Sequence, residues 1–177
     1  MGYLDDALPA GALLNGTPVL GVLSLPLDLN RLFEASVEAP PDQVLVAIGN
    51  PALRQAWQQV LEQLAASLGV LLYPRATVSA TVQLGPGSAV FAGAVVNANA
   101  CLHQGVLVNS GAVVDHDAIC GAYSQLGVYD AMAGGSRLGP LARLAPGEVL
   151  NCGQTYFAEL ELAPGASDPG EGLTLKP

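Results

Sequence analysis

Every sixth residue from position 78 to position 150 is apolar, and this period restricts the possible folds more than any other feature of the chain. The thirteen positions are Val78, Leu84, Val90, Val96, Leu102, Val108, Val114, Cys120, Leu126, Met132, Leu138, Leu144 and Leu150. Hydrophobic residues make up 51% of the sequence, so an unbroken run of this length arises by chance in about one of a thousand sequences over six frames. We therefore interpret the period as the mark of a repeating structure.

A period of six fits neither an amphipathic helix nor a simple two-faced strand, whose periods are shorter. It is typical of short strands joined by sharp corners, with one apolar side chain per strand pointing inward. Small residues that permit tight corners recur four positions after the apolar ones, as Ser88, Ala94, Ala100, Ala112, Ala118, Ser124, Ser136 and Ala142. Three strands close a triangular coil of about 18 residues, and the sequence predicts a left-handed parallel β-helix over residues 75–155, with just over four coils.

Residues 1–74 have a different pattern, in which short apolar runs alternate with helical stretches. The predicted strands are VLGVL at 19–23, VLVAIG at 44–49 and GVLLYP at 69–74, and the predicted helices lie at about 27–35 and 51–67. Alternating strands and helices are typical of a parallel sheet. We predict a small α/β unit with a partial Rossmann-like sheet.

The residues after the repeat, 156–177, are predicted to form a cap and a flexible tail. Tyr156, Phe157, Leu160 and Leu162 are the apolar side chains available to cover the open end of the prism, which solenoids require. The final Gly, Pro, Ser and acidic residues favour flexibility.

Charge and composition exclude several classes of protein. Six Lys and Arg stand against fifteen Asp and Glu, a net charge of −9, so the chain lacks the cations that a nucleic-acid surface needs. Its apolar stretches are broken well short of the ~20 residues that span a bilayer. No signal-like segment opens the chain, and the three cysteines have no metal or disulfide spacing. We expect a cytoplasmic protein with reduced thiols and no membrane partner.

Three segments give the chain a resemblance to a known family: GYLDD at 2–6, VAIGN at 46–50 and GAVVDHDAICGAY at 111–123. Together with the order of α/β unit and hexapeptide prism, they resemble bacterial sugar acetyltransferases of the sialic-acid O-acetyltransferase and UDP-amino-sugar N-acetyltransferase type. The resemblance covers most of residues 2–155. It implies an acyl-CoA-dependent homotrimer that uses acetyl-CoA as co-substrate, has a sugar or sugar-nucleotide acceptor and contains no metal.

The specific part of the resemblance is the string Asp115, His116, Asp117 inside a regular hexad. His116 lies two residues after the inward Val114, so we place it at a corner, where neutral imidazole can act as general base. Either aspartate is suited to orient the ring. Gly134 occupies the equivalent place one coil later, and the resemblance implies that its N–H stabilises the oxyanion.

Further positions match the family's binding sites. The resemblance places Asn109 near the acceptor or the ring, Asp5 and Asp6 near the uracil or ribose, and Gly49 and Asn50 in a lining loop. All four residues of the α/β unit equally suit ordinary strand-end turns. Arg137 and Arg143, at matching hexad positions, are the best available contacts for the CoA phosphates, with plain surface charges as the alternative.

Two other functions stay open at this point. A non-catalytic relative that keeps the prism for assembly or ligand binding is favoured by Gln125, which replaces the family's second histidine, and by an altered C-terminus. The same alternative is favoured by a start at Met1 directly before the family's second strand, which predicts an incomplete nucleotide site. A zinc enzyme like the γ-class carbonic anhydrases needs three histidines, and the chain contains only His103 and His116. The acceptor, and whether it reacts through nitrogen or oxygen, are not determined.

Overall fold

The computed structural model describes residues 3–4, 9, 11–21, 43–158, 161–162 and 173–174. The chain forms two compact units, residues 1–43 and 44–177. No helix in the described part of the chain has both the length and the apolar character needed to cross a membrane.

The first unit contains a three-stranded sheet in the order β1-β3-β2, formed by β1 (Tyr3–Leu4), β2 (Leu13–Leu14) and β3 (Thr17–Gly21). β2 and β3 are antiparallel and are joined through Asn15 and Gly16, both with positive φ, as tight hairpin turns require. β1 pairs parallel with β3. The predicted strand at 19–23 therefore begins earlier, as β3. The predicted helix at 27–35 lies outside the described residues, so the α/β organisation stays a prediction.

The predicted strand at 44–49 is wrong beyond its first residue. Of this run, only Val44 pairs with a described residue, in a single parallel bridge with Leu68, and residues 45–48 form no regular structure. Among the described residues, no strand lies beside this apolar run to complete its backbone hydrogen bonds. The Ile48 and Gly49 carbonyls instead accept from the Arg54 side chain of the following helix.

Helix α1 spans Pro51–Gln63 and is four residues shorter at its C-terminus than predicted. Asn50 caps it by accepting a hydrogen bond from the Leu53 N–H through Oδ1 at 3.1 Å, and proline occupies the first turn, where its missing N–H has no cost. These local signals were readable from the sequence.

The following residues form a parallel β-helix of about five turns. Its first sheet contains β4 (Leu71–Leu72), β7 (Ala89–Val90), β10 (Leu107–Val108) and β13 (Gln125–Leu126). Its second sheet contains β5 (Thr77–Val78), β8 (Val95–Val96), β11 (Val113–Val114), β14 (Ala131–Met132) and β16 (Val149–Leu150). Its third sheet contains β6 (Gln83–Leu84), β9 (Cys101–Leu102), β12 (Ile119–Cys120), β15 (Arg137–Leu138) and β17 (Thr155–Tyr156). The strand predicted at 69–74 is β4, which pairs with β7 and so belongs to this solenoid.

Neighbouring strands of each solenoid sheet pair in register across 18 residues, as Leu107 does with Gln125 and Val113 with Ala131. The predicted coil length is therefore confirmed. The interior is the predicted one: from Val90 to Leu150 every residue of the six-residue series is buried, and Val78 and Leu84 pack against this core. The small residues Ala94, Ala100, Ala112 and Ala118 are fully buried as well.

Helix α1 is attached to the first sheet by the buried side chain of Arg54. Its Nε donates to the Gly105 carbonyl at 2.7 Å. One terminal nitrogen donates at 2.8 Å to the carbonyl of Tyr123, a residue one coil further along than Gly105. The other terminal nitrogen donates to the Ile48 carbonyl at 2.7 Å. Burial, followed by the nearby charge of Arg143, lowers the pKa of Arg54 to about 10, so the guanidinium stays charged near neutral pH. Sequence reasoning missed this residue.

After β17 the described chain contains one further strand pair, the antiparallel β18 (Glu161–Leu162) and β19 (Leu173–Thr174). Tyr156 lies in the last strand of the third sheet and is 40% exposed, while the Phe157 ring covers Gly139 of the preceding coil. Leu160 lies outside the described residues. A cap built from these side chains stays a prediction.

Candidate active site

The acid-histidine-acid string lies at the corner between β11 and β12, where the second sheet turns into the third. Asp117 has a φ of +58°, a left-handed conformation that the short side chain of aspartate tolerates. The corner is stacked on both neighbours, because the Asp117 N–H donates to Ala98 at 3.0 Å and the His116 carbonyl accepts from Gly135 at 3.0 Å. The repeat thus holds His116 at a fixed place on the surface, as predicted from its position after Val114.

His116 has one close partner among the two flanking carboxylates. Its Nδ1 lies 2.8 Å from Asp117 Oδ2, whereas its Nε2 lies 4.0 Å from Asp115 Oδ2. The hydrogen bond to Asp117, followed by the charge of Asp115, raises the pKa of His116 above its usual value. With the proton on Nδ1 donated to Asp117, the lone pair of the neutral ring is at Nε2. The side chain is 61% exposed in the single chain.

Two asparagines that sequence reasoning missed hold the aspartates from the preceding coil. Asn97 donates through Nδ2 to Asp115 Oδ1 at 2.8 Å, and Asn99 donates through Nδ2 to Asp117 Oδ1 at 3.3 Å, each across 18 residues. The hydrogen bond from Asn97 is the largest cause of the lowered pKa of Asp115. For Asp117, the largest cause of the lowered pKa is the hydrogen bond with His116. The available signal was an amide residue one coil length before each acidic residue.

The ring of His116 packs on Gly134, one coil further along. A Cβ added at Gly134 would stand 2.6 Å from His116 Nε2, so the backbone approaches this nitrogen so closely only because the residue is glycine. The Gly134 N–H also faces Asp115 and contributes to lowering the pKa of that carboxyl. The structure therefore brings together His116, Asp115, Asp117 and Gly134.

Asn109 lies elsewhere, at the corner between the first and second sheets, where its Oδ1 accepts from the Ser110 N–H at 2.9 Å. Together with Gly49, Arg54 and Gln125 it lines a cavity of about 290 Å³ against the first sheet. Gln125 is buried, and its Oε1 has no hydrogen-bond partner in the described structure. Within a single chain, Asn109 and this cavity therefore lie apart from the corner that carries His116.

Comparison with known proteins gave matches among solved structures, whereas no family model and no curated protein matches the sequence. The acetyltransferase domain of PglB from Neisseria gonorrhoeae, solved with acetyl coenzyme A, is 32% identical with a TM-score of 0.77, over 88% of this chain and 71% of that one. PerB from Caulobacter crescentus, solved with CoA and GDP-perosamine, is 30% identical with a TM-score of 0.65, over 80% and 73%. The chain belongs to the hexapeptide-repeat sugar acetyltransferases.

The two arginines predicted to contact CoA lie on different sheets of this acetyltransferase. Arg137, in β15, lines an open groove of about 360 Å³ on the third sheet with His103, Thr155 and Phe157. Arg143 is exposed and its backbone bridges to Gln125 beside the first sheet. The structure therefore does not bring the two cations into one phosphate site within a single chain.

The remaining candidates in the acetyltransferase are placed as follows. Asn50 is occupied as the cap of α1, Gly49 contributes its carbonyl to Arg54 at 3.2 Å, and Asp5 and Asp6 lie outside the described residues. Within the described ranges, no three His, Cys, Asp or Glu side chains are grouped so that they could hold a metal ion. Cys120 is fully buried in the core, and burial raises its pKa to about 12, so it is an inert packing residue.

Proposed function

We propose that this chain transfers the acetyl group of acetyl-CoA to an amino group of a nucleotide-linked sugar, with His116 as general base. The observation that carries the proposal is the hydrogen bond between His116 Nδ1 and Asp117 at 2.8 Å, which leaves Nε2 free above Gly134. Support comes from two relatives of at least 30% identity, PglB with acetyl coenzyme A and PerB with CoA and GDP-perosamine. A hydroxyl acceptor would use the same base.

In the proposed reaction, the acceptor nitrogen attacks the thioester carbonyl and a new C–N bond forms. His116 Nε2 takes the proton that this nitrogen loses, and the Asp117 carboxylate stabilises the resulting imidazolium. We assign to the Gly134 N–H, which faces Asp115 in the single chain, the role of donor to the carbonyl oxygen as it becomes negative. Collapse of the intermediate breaks the C–S bond, and the imidazolium returns its proton to the leaving thiolate, which releases CoA as a thiol.

The proposal requires more than one copy of the chain. The cavity that contains Asn109, Gly49 and Gln125 lies against the first sheet, whereas His116 projects from the corner between the second and third sheets. A neighbouring prism would bring the cavity of one copy to the histidine of another. We therefore propose a homotrimer of left-handed β-helices, the closed cyclic arrangement that suits a three-sided prism. A sedimentation mass of one chain at assay concentration would contradict this assembly.

The remaining contacts complete the proposed binding mode. The groove on the third sheet begins at the strand that follows the His116 corner, and its Arg137, Thr155 and Phe157 offer a cation, a hydroxyl and an aromatic face to the nucleotide part of CoA. Arg143 is the second candidate for a phosphate contact.

Residues 1–74, with Asp5 and Asp6, are assigned to the sugar nucleotide and residues 156–177 to the cap. Free Cys101, Cys120 and Cys152 are compatible with the reducing cytoplasm, where we place the reaction.

The experiment is a turnover assay of the full chain with acetyl-CoA and a panel of UDP- and GDP-linked amino sugars, in which released thiol is followed and the product is identified by mass. We expect transfer to at least one amino sugar, and a loss of about 100-fold or more in kcat for His116→Ala. Full turnover by that variant would eliminate His116 as the base. Calorimetric binding of CoA without turnover on any acceptor would favour the non-catalytic alternative, for which Gln125 in place of a histidine is the motivating observation.

A further inference from the structure

We infer that Asn99 is a positioning residue of the acetyl transfer: it fixes Asp117, rather than Asp115, as the carboxylate that partners the general base. The inference rests on the proposed function, since it concerns how His116 is held. It goes beyond the residues that touch substrate, because Asn99 acts only through Asp117.

The asymmetry between the two aspartates is the starting observation. Both flank His116, yet only Asp117 is within hydrogen-bond distance of a ring nitrogen, at 2.8 Å against 4.0 Å for Asp115. One oxygen of Asp115 is committed elsewhere, because its Oδ1 accepts from both the His116 N–H and Asn97 Nδ2 at 2.8 Å, and its Oδ2 remains 4.0 Å from the ring. Asp117 has one oxygen for the ring and one for Asn99.

Asn99 can hold Asp117 because the two residues occupy the same corner position in successive coils. Their φ angles are +61° and +58°, so both side chains leave the backbone in the same direction. The amide therefore stacks on the carboxylate across one coil spacing of about 4.8 Å. Asn99 is itself anchored from the coil before, since its backbone N–H donates to Thr81 Oγ1 at 2.9 Å.

Thr81 thus holds the backbone of Asn99, the Asn99 amide holds Asp117, and Asp117 contacts the imidazole. An amide suits position 99 because the hydrogen bond that it donates favours the ionised form of Asp117 beside the ring. The amide itself adds no charge. Without that donor, the exposed Asp117 side chain would be free to turn towards solvent. The ring would then lose the partner that holds its proton on Nδ1 and its lone pair on Nε2.

The test compares Asn99→Gly with Asn97→Ala. Glycine removes the amide at position 99 without strain, because it accepts the positive φ of that residue. Asn97→Ala is the matched control, since it removes an equivalent amide of the same coil that serves Asp115. We expect Asn99→Gly to lower kcat about tenfold with little change in the KM for acetyl-CoA, and Asn97→Ala to have a clearly smaller effect. Equal losses in the two variants, or full activity of Asn99→Gly, would overturn the inference.

A second measurement does not depend on turnover. The pKa of His116 can be followed by NMR, because the chain contains only His103 and His116, and the charged groups that face the His116 ring are Asp115 and Asp117. We expect Asn99→Gly to lower this pKa and Asn97→Ala to lower it less. If the wild-type protein transfers no acetyl group, the proposed function fails while this titration still decides whether Asn99 positions the pair. An unchanged titration in Asn99→Gly refutes the positioning role.

Discussion

The imidazole of His116 rests on the backbone of Gly134, with Nε2 2.6 Å from the point where a Cβ would be. The two residues are separated by one coil of the solenoid, so the pairing of β11 with β14 sets the distance between them. This contact couples the position of the His116 ring to the absence of a side chain in the next coil.

Gly134→Ala is therefore expected to impair catalysis without unfolding the protein. The atoms that the new methyl group meets belong to the exposed end of His116, so the ring can turn away at little cost to the fold. We expect kcat to fall by about tenfold or more and the Tm to change little, as measured by turnover and calorimetry. Gly135→Ala is the control, because no atom lies within 4 Å of a Cβ added there. The φ of Gly135 is +66°, so this substitution should cost about 1 kcal/mol in stability and leave activity unchanged. Full turnover by Gly134→Ala would contradict the arrangement.

The pH dependence of activity follows from the two carboxylates. Because Asp117 and then Asp115 raise the pKa of His116, its neutral imidazole should predominate only above the usual imidazole value of about 6.5. We expect kcat/KM to increase through that raised pKa. Asp117→Asn should move this acidic limb to lower pH while reducing the maximal rate. A limb that stays in place in Asp117→Asn would show that another group controls it.

The same shifts have a defined sign for stability. The raised pKa of His116 gives a contribution that is present below its unfolded pKa and is lost as the pH rises through its folded value. The lowered pKa values of Asp115 and Asp117 give contributions that are lost as the pH falls through their folded values. All three groups are exposed to solvent, so we expect a much smaller response in Tm than in kcat/KM. A thermal scan at several pH values checks this.

The row of apolar side chains inside the β-helix predicts a strong contrast in stability between two leucine-to-alanine substitutions. Leu102 is 1% exposed inside the β-helix and Leu53 is 53% exposed on α1. Leu102→Ala should reduce the free energy of unfolding by about 2–5 kcal/mol, whereas Leu53→Ala should change it by about 0.5 kcal/mol or less. Urea unfolding followed by circular dichroism measures both. Similar values for the two variants would contradict the assigned interior.

Arg54 is expected to hold helix α1 on the solenoid. Arg54→Met keeps much of the apolar length but leaves the Gly105, Tyr123 and Ile48 carbonyls without their donor, at about 1–3 kcal/mol for each buried group left unpaired. We expect faster amide exchange in α1 with protection retained in the inner coils, as measured by hydrogen exchange and mass spectrometry. The exposed Arg75, changed to Met, is the control and should exchange like the wild type.

Much of the architecture was readable from the sequence because a solenoid converts sequence separation into spatial adjacency. Once the period of six is recognised, the residue 18 positions away is a neighbour, which is why the contact between His116 and Gly134 was predicted and is confirmed. The same rule placed Val114 and Cys120 inward. The rule fails outside the repeat, where the apolar run 44–49 looked like a strand but, in the part of the chain that the structure describes, pairs only at Val44.

The sequence alone determined the coil, its interior and the corner that carries His116, since these depend only on local periodicity and residue size. Only the tertiary structure decided that Asp117 rather than Asp115 contacts the ring, that Asn97 and Asn99 hold the two carboxylates, and that Arg54 fastens α1. It also separated Arg137 from Arg143 and Asn109 from His116. The physical reason is that these relationships depend on the direction of each side chain and on the sheet to which each residue belongs. A repeat in the sequence specifies the position of a residue along the coil. It does not specify the contacts that side chains make across the corners and faces of the coil.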